Sequence, residues 1–269
     1  MSTKGIFTAL SGAKAQDSRI ETISNNIANS NTTSFKKDRQ VFNEYLTANE
    51  KGTDVLQVPK IPASIESFYD MQGGDKSYVD VAGSYTNFSQ GALKPTGNVF
   101  DVGIEGKGFL EVLTPQGVKF TRNGALKVNS EGVVINQQGF PVLKKPEGQA
   151  DEQRKIQIQG SNITISYAGD IYEGGEFLGK LSVVDFKNND VLKKTGAGLY
   201  QLKNNSNEQP QAATEIKLHQ GFLEGSNVNI VEEMTELISA TRAFQSTQEA
   251  IKAFDSMNDK LVNVVPKVN

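Results

Sequence analysis

Residues 229–264 read NIVEEMTELISATRAFQSTQEAIKAFDSMNDKLVNV, and this stretch decides how the rest of the chain is read. Asn229 followed by Glu232 fits a capping arrangement, in which the Asn side chain accepts from an early helical N–H and the Glu reaches back toward the cap. A helix is therefore predicted to begin there. Ile230, Met234, Leu237, Thr241, Phe244, Gln248, Ile251, Met257, Leu261 and Val264 follow three-and-four spacing almost throughout, with Ile238 and Phe254 widening the stripe. No Gly or Pro interrupts before Pro266. At about 1.5 Å per residue such a helix is roughly 50 Å long, more than a β-rich body covers along one side, so its apolar face calls for a helical partner.

The opposite end of the chain supplies one. Ile6, Leu10, Ala13, Ile20 and Ile27, with Asp17 in the same register, lie along one stripe of a helix. Ser24-Asn25-Asn26 and Asn29-Ser30-Asn31-Thr32-Thr33 compete for backbone hydrogen bonds, which predicts a helix end near Ala28 to Asn31. Packing the two terminal helices together buries both stripes and brings the termini together. Burying each large aliphatic side chain is worth about 1.5–3 kcal/mol, so surplus apolar surface would drive association with neighbouring copies. Spacing alone leaves two arrangements open: a pair closed on the chain's own sheet, or a seam shared between copies.

Between the helices the pattern changes. Gly73-Gly74, Gly106-Lys107-Gly108, Asn123-Gly124, Asn129-Ser130-Glu131-Gly132, Gln137-Gln138-Gly139 and Gly174-Gly175 punctuate runs of strand length such as Phe109 to Leu113, Gly132 to Ile135 and Gly179 to Phe186. Short strands at this spacing predict antiparallel sheet. Pro59 and Pro62 make Val55 to Ile65 an extended connector. The expected fold is mainly β with long terminal α-helices that pair as a coiled coil. The expected boundaries are 1–35 for the N-terminal helix, 36–75 for an extended linker, 76–225 for the β-rich domain and 226–269 for the C-terminal helix.

Composition narrows the chemistry. With no Cys, no Trp and one His in 269 residues, disulfides, thiolate nucleophiles, iron–sulfur clusters, Cys-type zinc sites and two-His metal centres are excluded. A net charge of −3 gives no basic footprint for nucleic acid. No run of about 18 apolar residues predicts a membrane span, and Ile6 to Leu10 is shorter than a secretory h-region. Gly174-Gly175-Glu176-Phe177-Leu178-Gly179-Lys180 begins like a phosphate loop. Leu181 replaces its Ser or Thr, however, and a strand pattern follows, so a β-turn explains the glycines. Gly106-Lys107-Gly108 starts like a dinucleotide fingerprint, but Glu111 stands where the third Gly belongs. Asp185 to Gly196 fails as a calcium loop at Lys187 and Asp190. His219 lies in an alternating strand-like run with Ser226 nearby, without a nucleophile elbow, and reads as a solvent-side strand histidine. The sequence points to no catalytic, cofactor-binding or metal-binding residue, and to no cofactor.

Four segments carry a resemblance. Ser24-Asn25-Asn26-Ile27-Ala28-Asn29-Ser30-Asn31-Thr32-Thr33-Ser34-Phe35-Lys36 resembles the S-N-N-x-A-N-x-x-T-x-G-F-K signature of flagellar rod and hook proteins. Thr96 to Phe109 resembles the block T-G-N-x-x-D-V-A-I-x-G-x-G-F-F of that family, with Asp101, Gly106, Gly108 and Phe109 in place. Phe120-Thr121-Arg122-Asn123-Gly124 resembles its Y-T-R-[DN]-G hairpin. Leu223-Glu224-Gly225-Ser226-Asn227-Val228, with Glu233-Met234 and Arg242-Ala243-Phe244, resembles its L-E-x-S-N-V approach to the last helix. The blocks stand in family order. Gly103 replaces Ala and Leu110 the second Phe, while Ser34 replaces Gly, which argues against a positive-φ turn there because Ser tolerates that region poorly.

The resemblance implies a flagellar basal-body rod protein, the proximal FlgF type ahead of the distal FlgG type: a non-enzymatic structural subunit. It implies an inner coiled-coil domain of terminal helices, an outer β domain, and stacking into a helical axial tube that transmits torque to the hook. Implied partners are other copies, other rod proteins and the flagellar type III export apparatus, with no nucleic acid and no direct membrane insertion. The implied location is the rod crossing the periplasm, reached without a cleaved signal peptide. Expected assembly-interface residues are Ile6, Leu10, Ala13, Ile20, Ile27, Met234, Leu237, Ile238, Thr241, Phe244, Ile251, Phe254, Met257 and Leu261. The family-motif residues are Asn25, Asn26, Ala28, Asn29, Phe35, Lys36, Asp101, Gly106, Gly108, Phe109, Arg122, Gly124, Ser226, Asn227 and Val228. Two other readings stand beside this one: an envelope-associated β-rich binding protein with a helical stalk, and a cell-wall hydrolase using unassigned carboxylates.

Overall fold

A computed structural model describes residues 4–46, 77–146, 150–160, 162–203 and 208–264. The expected connector at Val55 to Ile65 lies outside them. Helix α1 spans Lys4–Ala28 and helix α2 spans Ile230–Val264, the first ending and the second beginning where the turn residues after Ala28 and the cap at Asn229 predicted. Between them the described chain is β-rich. The chain divides into two compact units: residues 1–27, 38–85 and 230–269 form the first, and residues 28–37 and 86–229 the second.

In the first unit, strand β1 (Asp38–Leu46), inside the stretch expected as a linker, pairs with β2 (Ser77–Thr86). The helices run antiparallel: Asn26 Nδ2 donates to Glu233 Oε2 at 3.0 Å, Arg19 meets Glu236 at 3.6 Å, and Gly5 lies against the Phe254 ring. Along α2 the less exposed positions include Glu233, Leu237, Ala240, Phe244, Thr247, Ile251, Phe254 and Asn258, a repeat of alternating fours and threes. That spacing averages 3.5 residues and keeps one seam facing a partner helix. On α1 the edge touching α2 carries Gly5, Arg19 and Asn26, one position removed from the Ile6, Ile20 and Ile27 of the apolar stripe. The absence of a side chain at Gly5 lets the Phe254 ring lie against the backbone there.

The second unit is built from short antiparallel strands: β3 (Leu93–Pro95), β4 (Val102–Gly106), β5 (Phe109–Thr114), β6 (Gly117–Thr121), β7 (Leu126–Val128), β8 (Val134–Asn136), β9 (Ile163–Ile165), β10 (Asp170–Glu173), β11 (Glu176–Lys180), β12 (Val183–Asp185), β13 (Leu192–Gly196), β14 (Leu199–Leu202), β15 (Gln211–Ala212), β16 (Ile216–Gln220) and β17 (Phe222–Glu224). The largest sheet has the order β13-β14-β6-β5-β12-β15, and β9-β10-β11 form a smaller one. The pairs β4-β16, β3-β17 and β7-β8 complete the set.

Strand β5 shows how sequence sets this core. Alternate side chains point to opposite faces, and here both faces are buried. Leu110 and Val112 join an aliphatic core with Val102, Ile104, Val142, Ile156, Leu181 and Leu218. Phe109 turns to an aromatic core with Phe120, Phe186 and Tyr200, whose rings meet edge to face or tilted at 5.0–5.9 Å. Glu111, facing the same side as Phe109, is buried and answered by Arg154 and by the Ser182 hydroxyl at 2.8 Å.

The phosphate-loop look-alike is the β10–β11 hairpin, with Gly174 and Gly175 at its tip. Gly106-Lys107-Gly108 bends the chain from β4 into β5. His219 sits on β16, partly exposed, and its hydrogen bond to Glu105 Oε2 at 2.7 Å holds that carboxyl below its usual range.

Candidate functional site

Residues of all four motif blocks, Lys36, Gly106, Gly108, Arg122 and Glu224 among them, meet in buried polar contacts within the second unit. Lys36, just before β1, is fully buried in the second unit, and a desolvated ammonium needs an anion. Glu224, the last residue of β17, supplies it: Oε1 accepts from Lys36 Nζ at 2.6 Å and from the Gly91 amide at 2.8 Å. Glu224 Oε2 accepts from Arg122 Nε at 2.8 Å. The remaining Arg122 nitrogens donate to backbone carbonyls, to Gly108 at 2.8 Å and Gly106 at 3.1 Å, while the guanidinium stands 5.8 Å from the Phe109 ring centre. Gly106 and Gly108 therefore act through their carbonyls, as acceptors that hold the arginine.

Ser34 completes this centre and corrects an expectation. It adopts φ of 55°, the left-handed backbone that the serine substitution argued against. That conformation costs a non-glycine residue about 1–2 kcal/mol. The surroundings offset it: the Ser34 amide donates to the Glu224 carbonyl at 2.8 Å, and its hydroxyl, which glycine lacks, donates to the Arg122 carbonyl at 2.7 Å.

Two cations around one carboxylate leave a buried net charge of +1. Burial pushes the Lys36 ammonium down to about 8, against the partial opposing pull of Glu224. The sign follows by linkage: unfolded lysine, at about 10.5, binds its proton more tightly than the native residue, so native stability rises with pH from about 8 to about 10.5. Urea titrations across that window should show the rise in wild type and lose it in Lys36→Met, where no ammonium remains to titrate. An identical slope in both proteins would refute the assignment.

The other motif residues divide by unit. In the first, Asn26 is buried, bonds both backbone groups of Asp38 at 3.0 Å and reaches Glu233. Asn25 is exposed, as is Ala28, the first residue of the second unit, where the Asn29 carbonyl closes the turn after α1 by accepting from the Thr32 amide. In the second, Asp101 is buried and accepts from Thr96 Oγ1 at 2.6 Å and Asn98 Nδ2 at 3.0 Å, fixing the loop before β4. Lys194 Nζ lies 4.6 Å over the Phe35 ring. Ser226 accepts from the Val228 amide at 3.2 Å in a local turn. Asn227 Oδ1 accepts from the Lys37 amide at 2.8 Å, and its Nδ2 donates to the Asn87 carbonyl at 2.8 Å.

Among the interface candidates, Ala13 is buried, and Ile6, Ile20, Ile27, Leu237, Thr241, Phe244, Ile251 and Phe254 are partly covered. Leu10 (54% exposed), Met234, Ile238 (55% exposed) and Met257 stand open. The Leu261 side chain lies outside the described residues. Glu224 and Glu233 were not among the sequence-derived candidates. The signal for Glu224 was its two motif cations, which require a buried anion, and its place in the Leu223 to Val228 block.

This is an architectural protein: its motif residues bind one another and the backbone and hold strands together. Comparisons with known proteins specify the architecture. Residues 6–36 match the family described as flagella basal body rod protein, residues 103–173 the flagellar hook protein FlgE/F/G D1 domain, and residues 219–264 the flagellar basal body rod FlgEFG protein C-terminal family. The flagellar basal-body rod protein FlgG of Borreliella burgdorferi is 32% identical, covering 94% of this chain and 96% of its own. The rod protein FlgF of Caulobacter vibrioides is 30% identical over 98% of both chains, and FlgG of Bacillus subtilis 30% identical over 97% of this chain and 98% of its own. The chain belongs to the flagellar basal-body rod protein family of FlgF/FlgG type. FlgG and FlgF relatives match alike, so the family, and not the proximal or distal member, is what these identities establish.

Proposed function

We propose that the chain is a structural subunit of the flagellar basal-body rod that polymerises through its terminal helices into a helical axial tube and passes torque to the hook without catalysing a reaction. The observation carrying this is α2 itself: one seam, spaced by threes and fours, faces α1, while Met234 and Ile238 on another face, and Phe7 and Leu10 on α1, stay exposed. Contacts between different patches on successive copies are heterologous, and where the rotation does not close they generate a filament. The 3.5-residue repeat supports pairing of α1 and α2 as a coiled coil. No helix among the described residues is long and apolar enough to cross a membrane. Export through the flagellar type III apparatus, other rod proteins as neighbours, and a position in the rod across the periplasm follow from the same reading. No observation favours a stalked binding protein or a hydrolase.

Replacing Leu237 or Ile251 with Asp puts a charge into the helix seam. Motility and rod assembly should be abolished, while circular dichroism and protease resistance of the β-rich unit stay as in wild type. Normal rods from either variant would sink the helical-seam mechanism. Imaging a labelled copy on isolated basal bodies tests the location, including the proximal position expected from the sequence; absence of label from the rod would overturn the functional reading.

A further inference from the structure

Asn123-Gly124, just past the end of β6, is the one Asn-Gly pair in the sequence, and in an unfolded chain such a pair modifies itself. The Gly124 amide nitrogen attacks Asn123 Cγ, an approach that glycine, with no side chain of its own, leaves unshielded. An N–Cγ bond forms as the Cγ–Nδ2 bond breaks, and Nδ2 departs as ammonia with the proton from the Gly124 nitrogen, leaving a five-membered imide. Water then opens the imide on either side. One product is aspartate. The other is isoaspartate, in which the chain runs through Cβ and Cγ and is longer by one carbon, about 1.5 Å.

The fold withholds the movements this chemistry needs. Asn123 Oδ1 accepts from the Ala125 amide at 3.1 Å, and the Asn123 amide donates to Thr121 Oγ1 at 3.1 Å. The Gly124 carbonyl accepts from the Val102 amide at 2.9 Å, and its α-carbon lies so near the Val102 carbonyl that no methyl group fits, so the peptide cannot turn its nitrogen onto Cγ. On the other side, the Arg122 carbonyl accepts from Ser34 Oγ at 2.7 Å while its guanidinium is held by Glu224. An extra carbon between two residues pinned on both sides displaces one of them, Arg122 from the buried triad or Gly124 from Val102. Aspartate adds no length and keeps the acceptor for Ala125, giving up only a 3.4 Å bond from Nδ2 to Gln137 Oε1.

We propose that Asn123-Gly124 is a self-modification site that folding shuts off, and that its isoaspartyl product bars the chain from refolding. The pair thereby limits how long a chain stays competent outside its folded state, whatever it assembles into.

The test incubates the full chain at mildly alkaline pH, one portion native and one in guanidinium chloride, and reads aspartate and isoaspartate at residue 123 by mass spectrometry. Modification should be at least about a hundredfold slower in the native portion, because there it waits for a sparsely populated opening. After dilution from denaturant, the refolded fraction should carry aspartate but be depleted at least about tenfold in isoaspartate, since losing either anchor removes a large share of a domain's stability. Asn123→Ser keeps an acceptor for Ala125 and cannot form the imide, so it should refold fully after the same incubation. Asn123→Asp should fold as wild type does. Equal rates in the two portions, refolded protein as rich in isoaspartate as the remainder, or an Asn123→Ser chain that loses refolding as fast as wild type would each overturn the proposal. So would an Asn123→Asp chain that fails to fold, because the damage would then lie in the lost amide and not in the added carbon.

Discussion

Glu224→Ala should leave the β-rich unit at or beyond the edge of folding. The carboxylate is fully buried between Lys36 and Arg122 and also accepts from the Gly91 amide. Removing one partner of a buried ion pair costs about 3–5 kcal/mol, because the other charge remains uncompensated and out of water. Here two cations would be stranded, against a total stability of about 5–15 kcal/mol for a typical domain. Glu224→Gln keeps the shape and one acceptor but not the charge, and should cost less while still exceeding about 2 kcal/mol. Glu176→Gln, exposed on β11, is the control and should fall within about 0.5 kcal/mol of wild type. Urea unfolding at pH 7 measures all three. A Glu224→Ala protein with a midpoint near wild type would mean that the triad contributes little.

The helices were legible because they are long and their signals agree: a cap at Asn229, a stripe without Gly or Pro, and turn residues from Asn29 onward. The β-rich middle was legible as a class, yet its strands were not. Gly179 to Phe186 reads as one run, but β11 ends at Lys180 and the chain resumes as β12 only at Val183. The reason is physical. Leu181 and Ser182 are buried and bonded to Gly169 and Leu143, partners more than ten residues away, and local composition carries no trace of such pairing. The α1 stripe was read as Ile6, Leu10, Ala13, Ile20 and Ile27, and Gly5, Arg19 and Asn26, which touch α2, stand one position before Ile6, Ile20 and Ile27. Periodicity finds an apolar face; it does not register a glycine such as Gly5, against which the Phe254 ring lies.

The site shows the same division. Resemblance brought Lys36, Arg122, Gly106, Gly108 and Asn227 forward, but spacing could not say that they meet. Glu224, which joins Lys36 to Arg122, looks by composition alone like an ordinary strand-end acid. Ser34 is the sharper case: intrinsic preference argued against a left-handed turn, and tertiary bonds to Arg122 and Glu224 overrode it. Local propensity is worth about a kilocalorie per residue, and a buried centre with several charge-assisted bonds exceeds that.

Gly124→Ala should be the most damaging glycine-to-alanine change among the described residues. Gly124 is not in a left-handed conformation, so the reason lies elsewhere: a Cβ built there would stand 1.8 Å from the Val102 carbonyl oxygen. That oxygen belongs to the first residue of β4, fully buried in the aliphatic core, and cannot swing aside as a flexible side chain would. The backbones touch because the Val102 amide donates to the Gly124 carbonyl at 2.9 Å and Asp101 bridges Ala125. Room for the methyl requires separating the two strands, which loses those bonds and opens the core beside Leu110 and Leu126. The expected loss is at least about 3 kcal/mol, the scale of overpacking combined with a broken buried backbone bond. The same substitution at Gly12, where a Cβ meets nothing within 4 Å on a helical backbone, should instead stabilise α1 by about 0.5–1 kcal/mol. Unfolding curves of the two variants should therefore move in opposite directions. If Gly124→Ala unfolds like wild type, the close approach of Val102 is not a feature of the folded protein.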